Sequence, residues 1–94
     1  MNKICMYSVH AEVIGVNVTR ELGVFKSRTM AESLAKLFNN TVVKCWKGEW
    51  GEAMVREDEY DVFADEYRIP KQETFDDTTN LILSAINYGY GGLV

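Results

Sequence analysis

The sequence is poor in the residues from which catalytic and metal sites are built. Its 94 residues include one histidine, His10, and two cysteines, Cys5 and Cys45, without CxxC, HxH or HExxH spacing. Zinc sites and activated nucleophiles need such side chains to converge. We therefore expect no catalytic residue, no metal and no cofactor, and two reduced core thiols. A less favoured alternative is a small enzyme pairing either cysteine with His10, because such partners meet in space rather than in sequence.

Long apolar runs are absent as well. No stretch of about 18 apolar residues occurs, and the N-terminus lacks the basic start and apolar region of a signal peptide. We expect no membrane association and a cytoplasmic location. The single proline and a hydrophobic content of 47% favour a folded chain, and this length predicts one compact domain over residues 1–94. The glycine-rich residues 89–94 are expected to form a flexible tail.

Negative charge is scarce in the first half of the chain and abundant in the second. Residues 1–50 carry seven basic and four acidic side chains, whereas residues 51–94 carry three basic and ten acidic ones. The balances are +3 and −7, which give the net charge of −4. Such asymmetry indicates the kind of partner a protein binds rather than its fold.

The clearest pattern is an amphipathic helix beginning near residue 28. Apolar side chains recur at the helical spacing i, i+3, i+4 and i+7, at Ala31, Leu34, Ala35 and Phe38. Either Ser27 or Thr29 can cap its first turn, Thr29 together with Glu32 in a capping box. The two asparagines at positions 39 and 40 predict its end, because asparagine tolerates the left-handed conformation.

Two strands precede this helix and a third is predicted to follow it. Residues 3–10 and 16–25 predict a hairpin broken near Gly15, with an apolar face at the even positions of the second strand. Residues 41–46 are rich in β-branched residues and predict a third strand. The next segment contains Gly48 and Gly51 and predicts a turn, followed by a short fourth strand over residues 53–55. Trp46 is expected in the core, while Trp50 fits a core position and an exposed contact position equally well.

Residues 56–69 fit two descriptions. A helix would place Tyr60, Phe63, Ala64 and Tyr67 on one stripe, whereas a strand would leave Phe63 among carboxylates. The helix is preferred and the strand stays open. A last helix is predicted from Thr74 to about Tyr88, with Leu81, Ile82, Ala85 and either Tyr88 or Gly89 inward. The resulting fold class is α+β, in the order ββαβ(β)αα: a three- to four-stranded, mainly antiparallel sheet with two or three helices packed on it.

The acidic run of the second half is the candidate interaction surface. Its carboxylates are interleaved with aromatic residues, which dominate binding hot spots, and they complement a basic protein surface while disfavouring direct contact with nucleic acid. The expected partner is a host protein, itself nucleic-acid-binding, and a homodimer is left open. The predicted partner-binding residues are Glu57, Asp58, Glu59, Asp61, Asp65, Glu66, Tyr60, Tyr67 and Trp50.

The segment Leu22-Gly23-Val24-Phe25-x-Ser27, followed by Ala31-Glu32 and Ala35, resembles the strand–turn–helix opening of many small acidic proteins of phages and mobile elements. Proteins of that class often inhibit host machinery, and they include anti-CRISPR and anti-restriction proteins. The resemblance implies a non-enzymatic inhibitor that acts in the host cytoplasm. The alternative is a homo-oligomeric small-ligand binder, or sponge, with an aromatic-lined pocket.

Overall fold

The computed structural model describes residues 2–90 and confirms the predicted fold class. Four strands, β1 (Lys3–Val13), β2 (Val18–Phe25), β3 (Met54–Asp61) and β4 (Glu73–Thr74), form one antiparallel sheet in the order β3-β1-β2-β4. Two α-helices, α1 (Arg28–Phe38) and α2 (Asp76–Asn87), accompany it. β1 is therefore paired on both sides, whereas β3 and the two-residue β4 lie at the edges.

The predicted hairpin of β1 and β2 is confirmed, with a longer first strand. The turn between them uses positive φ angles at Gly15 (97°) and Asn17 (52°). The pairing register shifts between Val9 and His10, so that Leu22 forms a bulge. Because of this extra residue, Leu22 and Phe25 both join the core while Val24 faces the opposite side of the sheet. The predicted apolar face of alternate residues in β2 is therefore interrupted.

The predicted stripe of α1 is confirmed, because Ala31, Leu34, Ala35 and Phe38 are its buried residues. Of the two candidate caps, Ser27 is the one used, and its side chain accepts a hydrogen bond from the Met30 backbone N–H. The helix lies close to the sheet at Gly23, where an added Cβ would meet Leu34 Cδ2 at 2.9 Å. Gly23 thus sets the distance between the helix and β2.

The predicted third strand at residues 41–46 is wrong. The chain continues from α1 into a π-helical segment, Asn39–Val43, and Asn39 keeps a right-handed helical φ of −64°. Thr41 donates its hydroxyl to the Leu37 carbonyl at 2.7 Å, and Val42 is fully buried. Burial in the core overrides the local β preference of these residues.

The preferred helix at residues 56–69 is also wrong, and the strand alternative is the correct one as far as Asp61. β3 pairs with β1 from His10 opposite Met54 to Lys3 opposite Asp61, and turns follow it. Phe63 is 73% exposed. Phe63 therefore lies exposed among carboxylates, as the strand alternative implied.

The last predicted helix exists as α2 and begins after Phe75 rather than at Thr74. Of the residues expected inward, Ile82 and Ala85 are buried, Leu81 is half-buried and Tyr88 is exposed. Gly89 ends the helix with a φ of 91°. Most of the predicted tail, residues 91–94, lies outside the described residues.

The helices and the sheet form two layers with a single core between them. The core joins Val9, Ala11, Leu22 and Phe25 of the sheet to the buried faces of α1, the π-helical segment and α2. The other face of the sheet buries Met6, Ser8 and Val24, and the segment after β3 reaches it through Arg68 and Pro70.

We expect Phe38→Ala to lower the free energy of unfolding by about 3–5 kcal/mol, because Phe38 is fully buried and its loss leaves a cavity. Its ring lies edge-to-face on Trp50, with 5.4 Å between centroids, so the tryptophan emission should also change. Urea unfolding followed by fluorescence measures both effects. Met30→Ala, at a half-exposed position of the same helix, is the control and should stay within about 0.5 kcal/mol.

Candidate functional site

The structure divides the predicted partner-binding residues among three places. Glu57, Glu59 and Asp61 lie on the helix-facing side of β3, while Asp58 and Tyr60 lie on its other side. The turns after β3 carry Asp65, Glu66 and Tyr67, and only Trp50 lies elsewhere. The acidic surface, by which we mean β3 together with residues 62–68, is therefore one edge strand and the turn that follows it.

Trp50 lies away from this surface. It forms a bridge with Val13 at one end of β1, whereas Asp61 pairs with Lys3 at the other end. Trp50 is half-buried against Phe38, and Trp46 is half-buried with its ring edge-to-face on Tyr88. Trp50 thus packs on the core rather than standing beside the carboxylates.

Three carboxylates of β3 are paired with basic side chains. Glu57 contacts Arg28, which also lies over the Tyr7 ring at 5.1 Å from its centroid. Lys3 lies 3.9 Å from Glu59, and Arg56 lies 3.2 Å from Asp58. Exposed ion pairs of this kind contribute about 0–1 kcal/mol each to stability. Basic side chains of a partner could therefore replace Arg28, Lys3 or Arg56 beside these carboxylates at little cost in free energy.

Two aspartates fix the turn after β3. The Asp61 carboxylate accepts hydrogen bonds from the backbone N–H groups of Ala64 (2.8 Å) and Phe63 (2.9 Å), which lower its pKa. Asp65 accepts from the Asp61 N–H at 2.8 Å and pairs with Arg68 at 3.2 Å. These carboxylates therefore build the turn instead of being free to bind a partner.

The fixed turn holds two aromatic side chains in solvent. Tyr67 is 96% exposed and Phe63 is 73% exposed. The sequence analysis included Tyr67 among the contact residues but missed Phe63, which it placed on the apolar stripe of a helix. The available signal was Asp61 two residues before Phe63, a spacing at which an aspartate side chain commonly caps a turn.

The outer edge of β3 has its own hydrogen-bonding pattern. The Val62 N–H bonds to the Asn2 carbonyl, so residues of even number in β3 direct their backbone groups to β1. Odd-numbered residues direct theirs outward. At the two ends these outward groups are occupied: the Asn39 side chain bonds both the N–H (2.6 Å) and the carbonyl (3.3 Å) of Ala53, and Asp65 bonds the N–H of Asp61.

Between these ends the edge is open. Within residues 2–90 no hydrogen bond reaches the outward backbone groups of Val55, Glu57 and Glu59. A groove of ≈ 530 Å³ lies at the Val55 end of this stretch, between Ala53 and Val55 and the α1 residues Arg28, Glu32 and Lys36.

The helix-free face of the sheet carries a small polar cluster around His10. His10 Nε2 lies 3.0 Å from Ser8 Oγ and 4.0 Å from Glu21 Oε2. Both neighbours use the same ring nitrogen, whereas a catalytic relay uses the two nitrogens separately. The arrangement is therefore that of a polar contact rather than of an activated serine.

The cysteines do not join His10. Cys5 lies on the opposite side of β1 from His10, because their positions differ by an odd number, and Cys45 packs against the core under the helices. Partial burial and then the charge of Glu57 raise the pKa of the Cys5 thiol. A thiol in that state is a weak nucleophile at neutral pH.

A second concave region lies between β2 and α2. Two adjoining hollows of ≈ 300 and ≈ 430 Å³ share Arg20, Trp50, Asp77 and Leu81 as walls, and Phe75 lines the smaller one. Arg20 and Asp77 pair across its mouth at 3.3 Å. We refer to it as the β2–α2 groove.

Across residues 2–90, no three histidine, cysteine, aspartate or glutamate side chains converge as metal ligands. None of the helices there is long and apolar enough to span a membrane.

Comparison of the chain with protein-family models, with curated proteins and with solved structures finds no match.

We expect His10 to make the protein less stable below neutral pH. Partial burial and then the charge of Arg56 lower its pKa, although Glu21 and Asp58 oppose this. Protons then bind the unfolded state more readily, so this stability is present above the ordinary pKa of 6.5 and declines as the pH falls below it. Urea midpoints at about pH 7.5 and about pH 5.5 test this. The wild type should lose more stability than His10→Gln, and equal losses would contradict the assignment.

Proposed function

We propose that this protein is a non-enzymatic binding module whose acidic surface, β3 with residues 62–68, attaches to a basic partner protein. The observation that supports it most directly is the turn fixed by Asp61 and Asp65, which holds Phe63 and Tyr67 in solvent beside carboxylates. A backbone that is already fixed loses little conformational entropy on binding, and tyrosine is among the residues most often found as hot spots of interfaces.

The negative charge of the second half of the chain supports a basic protein as the partner. The second half of the chain has a balance of −7, and β3 alone carries four carboxylates and one arginine. Such a surface attracts a basic protein and repels nucleic acid. In its sharpest form, the proposal is that the module occupies the nucleic-acid groove of a host protein in the host cytoplasm. The resemblance to small acidic proteins of phages and mobile elements, which include anti-CRISPR and anti-restriction proteins, implies inhibition of host machinery in general and is compatible with this form.

The test is capture of a partner from host lysate, followed by affinity measurements with the purified partner. We expect Phe63→Ser/Tyr67→Ser to weaken binding by at least about tenfold, because a hot-spot aromatic contributes about 2 kcal/mol or more. Leu83→Ser/Ile86→Ser removes two exposed apolar side chains from α2 and is the matched control. Equal affinities for both variants would contradict the proposal.

The carboxylates require a separate variant that spares the turn. Glu59→Lys/Glu66→Lys reverses two exposed charges of the acidic surface, and Glu49→Lys reverses one near Trp50. The first should weaken binding and reduce its dependence on salt, while the second should do neither. Binding that is indifferent to both salt and Glu59→Lys/Glu66→Lys would argue against electrostatic recognition.

The second candidate function is binding of a small aromatic ligand, and the β2–α2 groove favours it. Trp50 and Phe75 line this groove within a single chain, and its size falls in the range of small-molecule sites. This candidate does not need the intersubunit pocket expected from the sequence.

A fluorescent anionic dye, anilinonaphthalene sulfonate, is a suitable probe of the groove. In a Trp46→Phe background Trp50 is the only tryptophan, so its emission should change on dye binding. Ser84→Tyr fills the groove and should abolish the change, whereas Leu83→Tyr, on the outer side of α2, should not. A response retained by Ser84→Tyr would eliminate the groove as the site.

A further inference from the structure

We infer that the open edge of β3 binds an extended basic segment of the partner as an additional antiparallel strand of the sheet. The inference rests on the proposed function, since it specifies how the acidic surface would engage its partner. It requires three features: unpaired backbone groups, room for a strand, and side chains that select its sequence.

The unpaired backbone groups define where the strand would lie. The outward N–H and carbonyl groups of Val55, Glu57 and Glu59 have no hydrogen bond within residues 2–90, while Ala53 and Asp61 on either side are bonded by Asn39 and Asp65. The open stretch Val55 to Glu59 is five residues, or about 17 Å of extended chain. Three residues of a partner strand can exchange paired hydrogen bonds there.

Room for the strand is present along the whole open stretch. The groove of ≈ 530 Å³ separates Ala53 and Val55 from the α1 residues Arg28 and Lys36, and further along the edge Glu57 and Glu59 are exposed. An antiparallel strand added beside β3 would therefore have its C-terminal end next to this groove and its N-terminal end next to solvent. Addition of an extended peptide to an exposed sheet edge is an established mode of peptide recognition.

The side chains of β3 select the sequence of the added strand. Residues directly opposite each other in an antiparallel pair share a face. Glu57 and Glu59 therefore favour lysine or arginine at two alternate positions, and the half-buried Val55 favours an apolar residue two positions further on. The preferred segment, from its N-terminus, is basic-x-basic-x-apolar.

A second copy of the chain is a poor occupant of this edge. An antiparallel two-fold pairing of β3 strands centred on the open stretch would place Glu57 directly opposite Glu57 of the other copy, although it would also place Asp58 opposite Arg56. Like charges directly opposite each other destabilise a sheet. The repulsion between the two Glu57 side chains disfavours this self-pairing, whereas a basic segment meets no like charge at Glu57 or Glu59.

The test uses a capped heptapeptide, Thr-Lys-Thr-Lys-Thr-Val-Thr, and amide hydrogen exchange of the whole protein followed by NMR. In the free protein the amides of Arg56 and Asp58 should be protected by β1, and those of Val55, Glu57 and Glu59 should exchange quickly. Addition of the peptide should protect these three amides and leave those of Arg56 and Asp58 unchanged.

Two methylated peptides separate strand pairing from simple charge attraction. N-methylation at the lysines and valine removes the N–H groups that would face β3, and it should weaken binding by more than about tenfold. N-methylation at the central threonines keeps the same charge, and affinity should stay within about threefold. Equal affinities of the two methylated peptides would overturn the inference.

Two further results would contradict strand addition. If the unmodified peptide does not bind, or if the three amides become protected with rising protein concentration alone, strand addition by a basic partner is wrong. Either result leaves the effect of Phe63→Ser/Tyr67→Ser on partner binding unaltered, so the proposed function fails or stands independently. Glu59→Gln should weaken the unmodified peptide severalfold without changing the exchange pattern of the free protein.

Discussion

The structure depends on the pairing of β1 with a strand on each side. β2 pairs with it through a hairpin, and β3 pairs with it from far along the chain, with His10 opposite Met54 and Lys3 opposite Asp61. Val9, at the middle of β1, is completely buried between the sheet and the helices. Within residues 2–90 no strand pairs with the other side of β3, so β3 lies at an edge and the acidic residues it carries lie on the outside of the molecule.

The bulge at Leu22 adapts this sheet to the helix layer. It shifts the alternation of β2 so that Leu22 and Phe25 both face the core, where α1 packs against them, and it leaves Val24 to the helix-free face. The approach of α1 to Gly23 completes the fit, since a larger residue would displace Leu34. The same helix forms one wall of the groove next to Ala53 and Val55, so α1 contacts the core through one side and borders the β3 edge with another.

The sequence predicts those parts of the fold in which the local pattern and the burial agree. The α1 stripe, its Ser27 cap, the hairpin at Gly15 and the α2 positions Ile82 and Ala85 belong to this group. Residues 41–46 have a local preference for strand, yet the burial of Val42 in a continued helix stabilises the chain more than this preference does. In residues 56–69 the helical spacing of aromatic residues was misleading because Phe63 and Tyr67 are not core residues. Apolar residues at helical spacing predict a helix correctly only when the face they share is buried.

The same limit explains what could be predicted of the candidate site. The concentration of carboxylates was visible in the sequence, but their separate tasks were not, because these depend on contacts made in the fold. Asp61 and Asp65 stabilise a turn, whereas Glu57 and Glu59 border open backbone. Asn39 was interpreted as a helix end and instead closes the β3 edge at Ala53, 14 residues away in sequence. An edge closed at both ends is protected against extended aggregation, and its short open stretch restricts pairing to a segment of matching length and charge.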